Sequence, residues 1–390
     1  MTAATGLTTA HSNEPKAIFV ATDAGRDHDD ELAFSLLAGL QHLNQCQVVG
    51  AVVNLHPTTT RACLVKGAFQ SLGLDVPVAA GIAGEPDHTH KPYEFAVPYL
   101  ASPNDVEPDG QALMLRRFQE ADRKGEKITL LLISGMMDAD QFIHDHPDLS
   151  QRVLEQVVIM GDVKIDEAGQ PMLDQGGRLM PGKSYNNSVD RHLNPDPDAD
   201  PVGPSAKRLY AALQDRQIPT IVLSRYTAYA AAVHPDYYGA LRDTQHPMGV
   251  RLQADQRHAI EGFWDDIRAG RVAPRLTPEW FAKAYCGGGE ALAALEADPA
   301  HPWSYVTRLN LFDPLAALAA VCPDGLFTPE EGASKASANF RLIGVNPATH
   351  NIADFGKVRH MLDTLPLLAL TATHNHGGHT PASDLLLKAG

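Results

Sequence analysis

Short apolar, β-branched runs alternate with amphipathic stretches along most of the chain, and this alternation restricts the fold more than any other feature. Ala17–Thr22 (AIFVAT), Val48–Asn54, Val76–Ala79, Ile128–Ser134 (ITLLLIS), Val157–Met160 (VVIM) and Thr220–Ser224 (TIVLS) read as buried strands. Between the first two, Leu32, Phe34, Leu36, Leu37 and Leu40 within Asp30–Leu43 fit a helix lying on a sheet, and Thr59–Leu72 fits a second helix. Strands that are apolar throughout are buried on both faces. The expected fold class is therefore α/β, a single domain with a mostly parallel central sheet flanked by helices. Two regions break the rhythm. Asp162–Pro204, rich in Gly, Pro, Asn and Asp, is expected to be an active-site loop, and residues about 240–310, with the Gly287–Gly289 triplet, a helical insertion. Val358–Leu365 is expected to be a short helix that stops before Pro366. The domain is expected over 17–372, with residues 1–16 a disordered arm and 373–390 a flexible tail.

Composition excludes several functions. Across 390 residues, 32 Lys and Arg stand against 47 Asp and Glu, a net charge of −15. Such a surface repels phosphate backbones, so no nucleic-acid partner is expected. No apolar run reaches the roughly 18 residues of a membrane span, and no membrane partner is expected. The opening MTAATGLTTAHSNEPK has neither the basic start nor the apolar core of a secretory signal. Cys46, Cys63, Cys286 and Cys322 form no CxxC pair, which argues against a disulfide framework or a cysteine zinc site and suits a reducing, cytoplasmic location. His374, His376 and His379 are interrupted by Gly377 and Gly378 and read as a solvated tail.

The most informative segment is Asp23-Ala24-Gly25-Arg26-Asp27-His28-Asp29-Asp30-Glu31, directly after a buried strand and at the entry to a helix. Ligands in parallel sheets bind at the carboxyl ends of strands. Crowding four aspartates there costs several kcal/mol unless a positive charge compensates. A helix N-terminus contributes only about 0.3–1 kcal/mol, and an all-oxygen donor set selects a hard divalent ion, Ca²⁺ or Mg²⁺. The bland alternative is an acidic N-cap and first turn. An EF-hand loop fails on spacing: counted from Asp23, the glycine slot holds His28 and the glutamate slot Phe34.

These residues resemble the aspartate fingerprint of the inosine-uridine preferring nucleoside hydrolases, D-T-D-P-G-x-D-D. Asp23 matches its second Asp and Asp29-Asp30 its closing pair; two extra residues follow Gly25, and Ala21 replaces the leading Asp. This longer form is similar to a divergent branch that includes effectors of plant-pathogenic bacteria. VVGAVVN ending at Asn54, ITLLLISGMMDADQFI, VVIMGD, SYNNSVD and Phe312-Asp313-Pro314-Leu315 resemble further landmarks, in the expected order over roughly residues 17–330. The resemblance implies a single nucleoside-hydrolase-like domain holding Ca²⁺ with Asp23, Asp30, Asp313 and the Ser134 carbonyl. Asp23 would also take the proton of the attacking water, and Asp29, Asn54, Asn186 and Asn187 would contact the sugar. Asp27 has no counterpart in the short motif and reads as an additional ligand, a supporting residue or a surface position.

The implied function is calcium-dependent hydrolysis of the N-glycosidic bond of a ribonucleoside or related ribosyl compound. Two departures stand against it: Phe312 occupies the position of a leaving-group His, and Ser184 that of an acidic Glu. Tyr185 is a candidate for stacking on sugar or base, and Arg225 and Tyr226, after a strand, for contacting a base or phosphate; each is equally at home in ordinary packing. The alternative is a ribose- or ADP-ribose-binding, effector-like protein without turnover, which would also leave secretion open. The expected partner is a small nucleoside or ribosyl nucleotide, and the family's common dimers and tetramers allow a homo-oligomer. His28-Asp29 and His144-Asp145 suggest an HD-type phosphohydrolase, but that class is all-helical.

Overall fold

The structure is a computed structural model that describes residues 14–25, 28–85, 90–330 and 337–374. Its core is one sheet of strands β1 (Lys16–Thr22), β2 (Cys46–Leu55), β3 (Val78–Gly84), β4 (Ile128–Leu132), β5 (Leu154–Met160), β6 (Thr220–Leu223) and β7 (Phe340–Ile343). The order is β3-β2-β1-β4-β5-β6-β7, with every neighbouring pair parallel. Parallel pairs need long crossovers, and helices supply them. In chain order these are α1 (Asp29–His42), α2 (Thr58–Ser71), α3 (Gly110–Lys124), α4 (Met137–Asp145), α5 (Pro147–Val153), α6 (Pro204–Asp215), α7 (Arg225–Ala230), α8 (Asp236–Asp243), α9 (Pro247–Arg268), α10 (Pro278–Tyr285), α11 (Glu290–Ala297), α12 (Asp313–Val321) and α13 (Phe355–His374). An all-helical HD-type fold is thereby ruled out.

The side-chain alternation of β1 separates two cores. Ile18 and Val20 pack with Leu32 and Phe34 of α1, Phe69 of α2, Leu315 of α12 and Leu362 of α13. Phe19 and Ala21 face the other way, toward Phe118 of α3, Phe142 of α4 and Leu209 of α6. No helix among the described residues is long and apolar enough to cross a membrane.

Several expectations are corrected. The third strand runs Val78–Gly84 rather than Val76–Ala79, because Pro77 has no N–H for a ladder and offers only its carbonyl, to Ala51 N at 3.0 Å. Strand β7 was not anticipated, since four residues with Arg341 among them carry little pattern. Part of the expected loop after Asp162 is a small antiparallel hairpin bridged at Val163–Pro181, Ile165–Pro171 and Leu173–Leu179. Asp166 and Asp174 build its turns by accepting nearby N–H groups.

Helix α13 passes through Pro366 instead of stopping before it. A proline cannot donate to the carbonyl four residues back, here Leu362. The buried Tyr237 of α8 supplies the missing donor, its hydroxyl reaching Leu362 O at 3.1 Å. One residue before the proline, Leu365 presents its carbonyl to α1, where a Cβ on Gly39 would meet that oxygen at 2.3 Å. Tyr237→Phe removes the donor without changing the packing, so it should lower unfolding free energy by about 1–2 kcal/mol in denaturant titrations. An unchanged midpoint would mean that the carbonyl finds another partner.

Candidate active site

Parallel pairing brings the carboxyl ends of all strands to one edge, and the order reverses direction between β1 and β4. Such a reversal opens a crevice where ligands bind. Asp23 follows β1 there, and Ser134 lies two residues beyond β4. Asp30, in the first turn of α1, folds back onto the strand end: its Oδ1 accepts the Thr22 hydroxyl and, at 3.3 Å, the Asp23 N–H.

The late motif arrives through Asp29. Its Oδ2 accepts the Phe312 N–H at 2.8 Å and the Asp313 N–H at 3.0 Å. Those groups lie at the N-terminus of α12, where donors lack helical partners and the dipole favours an anion. One carboxylate thus draws Asp313 to the first turn of α1 across a sequence separation of 284 residues. Asp23, Asp29, Asp30 and Asp313 are all buried. Asp27 lies outside the described residues. Among the described residues, no three His, Cys, Asp or Glu side chains form a ready-made metal cage.

The predicted sugar-contacting residues divide into groups. Asn54, the penultimate residue of β2, is fully buried, with Nδ2 on the Gly135 carbonyl at 2.7 Å and Oδ1 without a partner among the described residues. The buried Ser134 Oγ likewise has no partner among the described residues. Asn187 pins its loop by donating to the Asp162 and Gly182 carbonyls, both at 2.9 Å, and leaves its buried Oδ1 unpartnered. Asn186 donates to Met160 O at 2.9 Å. Tyr185 donates to Glu85 Oε2 at 3.2 Å. Arg225, at the start of α7, is held by Asp162, with Nη2 to Oδ2 at 2.6 Å, and also donates to the Lys183 carbonyl. Its Nη1 makes no hydrogen bond among the described residues. The rings of Tyr226 and Tyr229 meet edge to face at 5.9 Å, and Tyr229 meets Phe312 at 6.3 Å. This aromatic row links α7 to the start of α12.

Two acids here were not singled out from the sequence. Asp162 closes the VVIMGD run and gathers Ser224 Oγ at 2.9 Å together with Arg225. Burial pushes its carboxyl up, against the pull of Arg225. An acid ending an apolar strand was the available signal. Asp138 of α4 accepts the Ile82 N–H at 3.1 Å and Gln111 Nε2 at 3.2 Å. Nothing in MMDADQF distinguishes it from an exposed helical acid.

Two solved structures resemble the chain closely in shape. XopQ, a type III effector solved in complex with adenosine diphosphate ribose, is 29% identical with a TM-score of 0.75, over 92% of this chain and 95% of its own. The effector XOO4466 is 27% identical with the same TM-score, over 92% of this chain and 94% of its own. A purine-preferring ribonucleoside hydrolase from Gardnerella vaginalis is 14% identical with a TM-score of 0.55, over 92% of this chain and all of its own. The fold is that of the nucleoside hydrolases. Within it, the chain resembles the divergent effector branch more than the hydrolase from Gardnerella vaginalis. No family model matches the sequence, and no curated protein does.

Burial raises the Asp138 carboxyl to about 6, while the Ile82 and Gln111 hydrogen bonds oppose the shift. A folded-state value above the unfolded 3.8 means the contribution to stability is complete below about pH 4 and lost as pH rises through about 6. The loss is on the order of 3 kcal/mol. Asp138→Asn should flatten that part of the stability profile, read by chemical unfolding from pH 4 to 7. A slope equal to wild type would show that Asp138 does not carry it.

Proposed function

We propose that this chain binds a ribosyl compound at the crevice between β1 and β4 and hydrolyses its N-glycosidic bond in a calcium-dependent reaction. The observation that supports this reading is the pair of links that joins the end of β1 to the start of α12: the Asp23 N–H on Asp30 Oδ1 and the Asp313 N–H on Asp29 Oδ2. Beside it, the unpartnered Asn54 Oδ1 supplies a buried acceptor for a sugar hydroxyl. Buried carboxylates with a backbone carbonyl, and no His or Cys among the proposed donors, suit a hard ion in their chemistry. Asp23, Asp30, Asp313 and the Ser134 carbonyl would hold it. When bound, it would supply a more acidic water and a grip on vicinal hydroxyls.

The protein's own groups would do the rest. Asp23 takes a proton from the attacking water. Asn54 orients a sugar hydroxyl, and buried carboxylates stabilise the oxocarbenium character that develops as the base departs. Tyr226, Tyr229 and Phe312 offer a partly exposed aromatic wall for a planar leaving group. With Phe312 and Ser184 at the acid positions, no proton donor stands at either one. The substrate therefore needs a leaving group that departs without a proton, as a positively charged pyridinium does. Arg225 Nη1 would meet a phosphate, which favours a ribosyl nucleotide over a bare nucleoside.

A second reading is binding without turnover. The missing acid and the likeness to an effector solved with adenosine diphosphate ribose favour it. Incubation with inosine, nicotinamide riboside and ADP-ribose, with and without EDTA, separates the two: chelator-sensitive release of base supports hydrolysis, and saturable binding without release supports the second reading.

Asp23→Asn should abolish turnover and weaken calcium binding, and Asp30→Ala should lose the metal, both measured by calorimetry and product assay. Normal hydrolysis by these two variants would sink the assignments. Phe312→His should raise inosine hydrolysis by about 10²-fold if the absent acid limits the rate. No gain would place the limitation elsewhere.

A further inference from the structure

Two arginines lie where solvent scarcely reaches. Arg61 of α2 is 0% exposed and Arg251 of α9 is 7% exposed. A buried guanidinium is tolerable only when its charge and its N–H donors are met. Arg61 donates through Nη1 to the Ala24 carbonyl at 3.0 Å, through Nε to the His56 carbonyl at 3.2 Å and through Nη2 to Glu94 Oε2 at 2.7 Å. Arg251 sets Nε on both oxygens of Glu31, at 2.9 and 3.1 Å, Nη2 on the Glu94 carbonyl at 2.8 Å, and Nη1 on the Tyr93 carbonyl at 3.1 Å and Asp255 Oδ2 at 2.9 Å. The Tyr99 hydroxyl completes Glu31 at 2.7 Å, and the Lys91 N–H occupies Glu94 Oε1 at 2.7 Å.

The residues gripped matter more than the number of bonds. Ala24 follows Asp23 directly, and Glu31 follows Asp30 directly. Each end of the acidic loop is therefore held by a different arginine from a different helix, and both arginines dock on the one residue Glu94. The loop also presses closely on its clamp. Gly25 has φ +101°, and a Cβ there would stand 2.9 Å from Arg61 Nη1.

We propose that Arg61 and Arg251, joined through Glu94, are positioning residues that set the placement of Asp23 relative to Asp30 for the ribosyl ligand. The inference rests on the ribosyl-binding reading of the site. Neither arginine touches the reacting atoms in this scheme. Each acts through the backbone or the side chain adjoining a site aspartate. The rigid fork is the property that counts: a lysine carries the same charge but cannot hold three fixed directions.

The experiment uses the full chain and the variants Arg61→Lys and Glu94→Gln. Glu94→Gln keeps the acceptor for Lys91 N–H, so it preserves the turn if Arg61→Lys proves too disruptive. Hydrogen exchange is read at the amides of Asp23, Ala24 and the first turn of α1, and ADP-ribose affinity by calorimetry with calcium present. Exchange at those amides should accelerate about tenfold, with β6 and α6 unchanged, and affinity should fall about tenfold in the folded variant. A lower melting temperature with wild-type local exchange overturns the proposal, because it assigns the clamp a purely structural role. Faster exchange with unchanged affinity also overturns it. If wild type itself binds no ADP-ribose, the ribosyl reading fails, and the exchange data still report whether the clamp orders the loop.

Discussion

The site depends on a carboxylate that reaches across almost the whole chain. Asp29, in the first turn of α1, accepts the two N–H groups that open α12. That bridge adds a polar tie to the apolar packing of α12 against α1, where Leu315 shares a core with Leu32 and Phe34. The interaction matches an anion to orphan donors and to the positive end of a nine-residue helix, both in a buried setting. Asp29 therefore has a structural role that the resemblance alone, which gave it a sugar contact, did not include. One of its oxygens is committed to the fold.

Around that bridge, the polar groups of the site are arranged by other polar groups. Asn54 is oriented by the Gly135 carbonyl, Arg225 by Asp162, and the loop carrying Asn186 and Asn187 by main-chain carbonyls. Buried polar groups are costly unless paired. The partners therefore fix each side chain in one orientation, and the few atoms left over mark where a polar ligand belongs. Asn54 and Asn187 follow the same pattern, each spending its amide N–H groups on main-chain carbonyls and leaving a buried Oδ1 without a partner among the described residues.

Departures from the nucleoside hydrolase pattern fall in two places: Phe312 and Ser184 stand at the expected acid positions, and Ala21 and the two residues added after Gly25 alter the acidic segment. Phe312, where the resemblance expects a proton-donating His, continues an aromatic row from Tyr226 and Tyr229. Under the proposed reading, the loss of both acids points to an altered leaving group or a retained ligand, in keeping with the likeness to an effector solved with adenosine diphosphate ribose.

Strands β1, β2, β4, β5 and β6, the helices α1 and α2 and the acidic segment were legible in the sequence, because apolar periodicity and local charge density are properties of adjacent residues; the short β7 was not. Asp23, Asp30 and Asp313 could be named only through family resemblance, since no spacing along the chain relates residue 313 to residue 30. The continuation of α13 through Pro366 could not be read, because the donor that rescues it, Tyr237, comes from another helix. Nor could the burial of Arg61, Arg251 and Glu31, whose residue types ordinarily lie at the surface. The sequence by itself determined an α/β chain with a parallel sheet and an acid-rich turn at the end of its first strand. Only the tertiary structure decided which distant charges share that edge and which of them are spent holding it together, because burial and hydrogen-bond partnership are set by contacts between segments far apart in the chain.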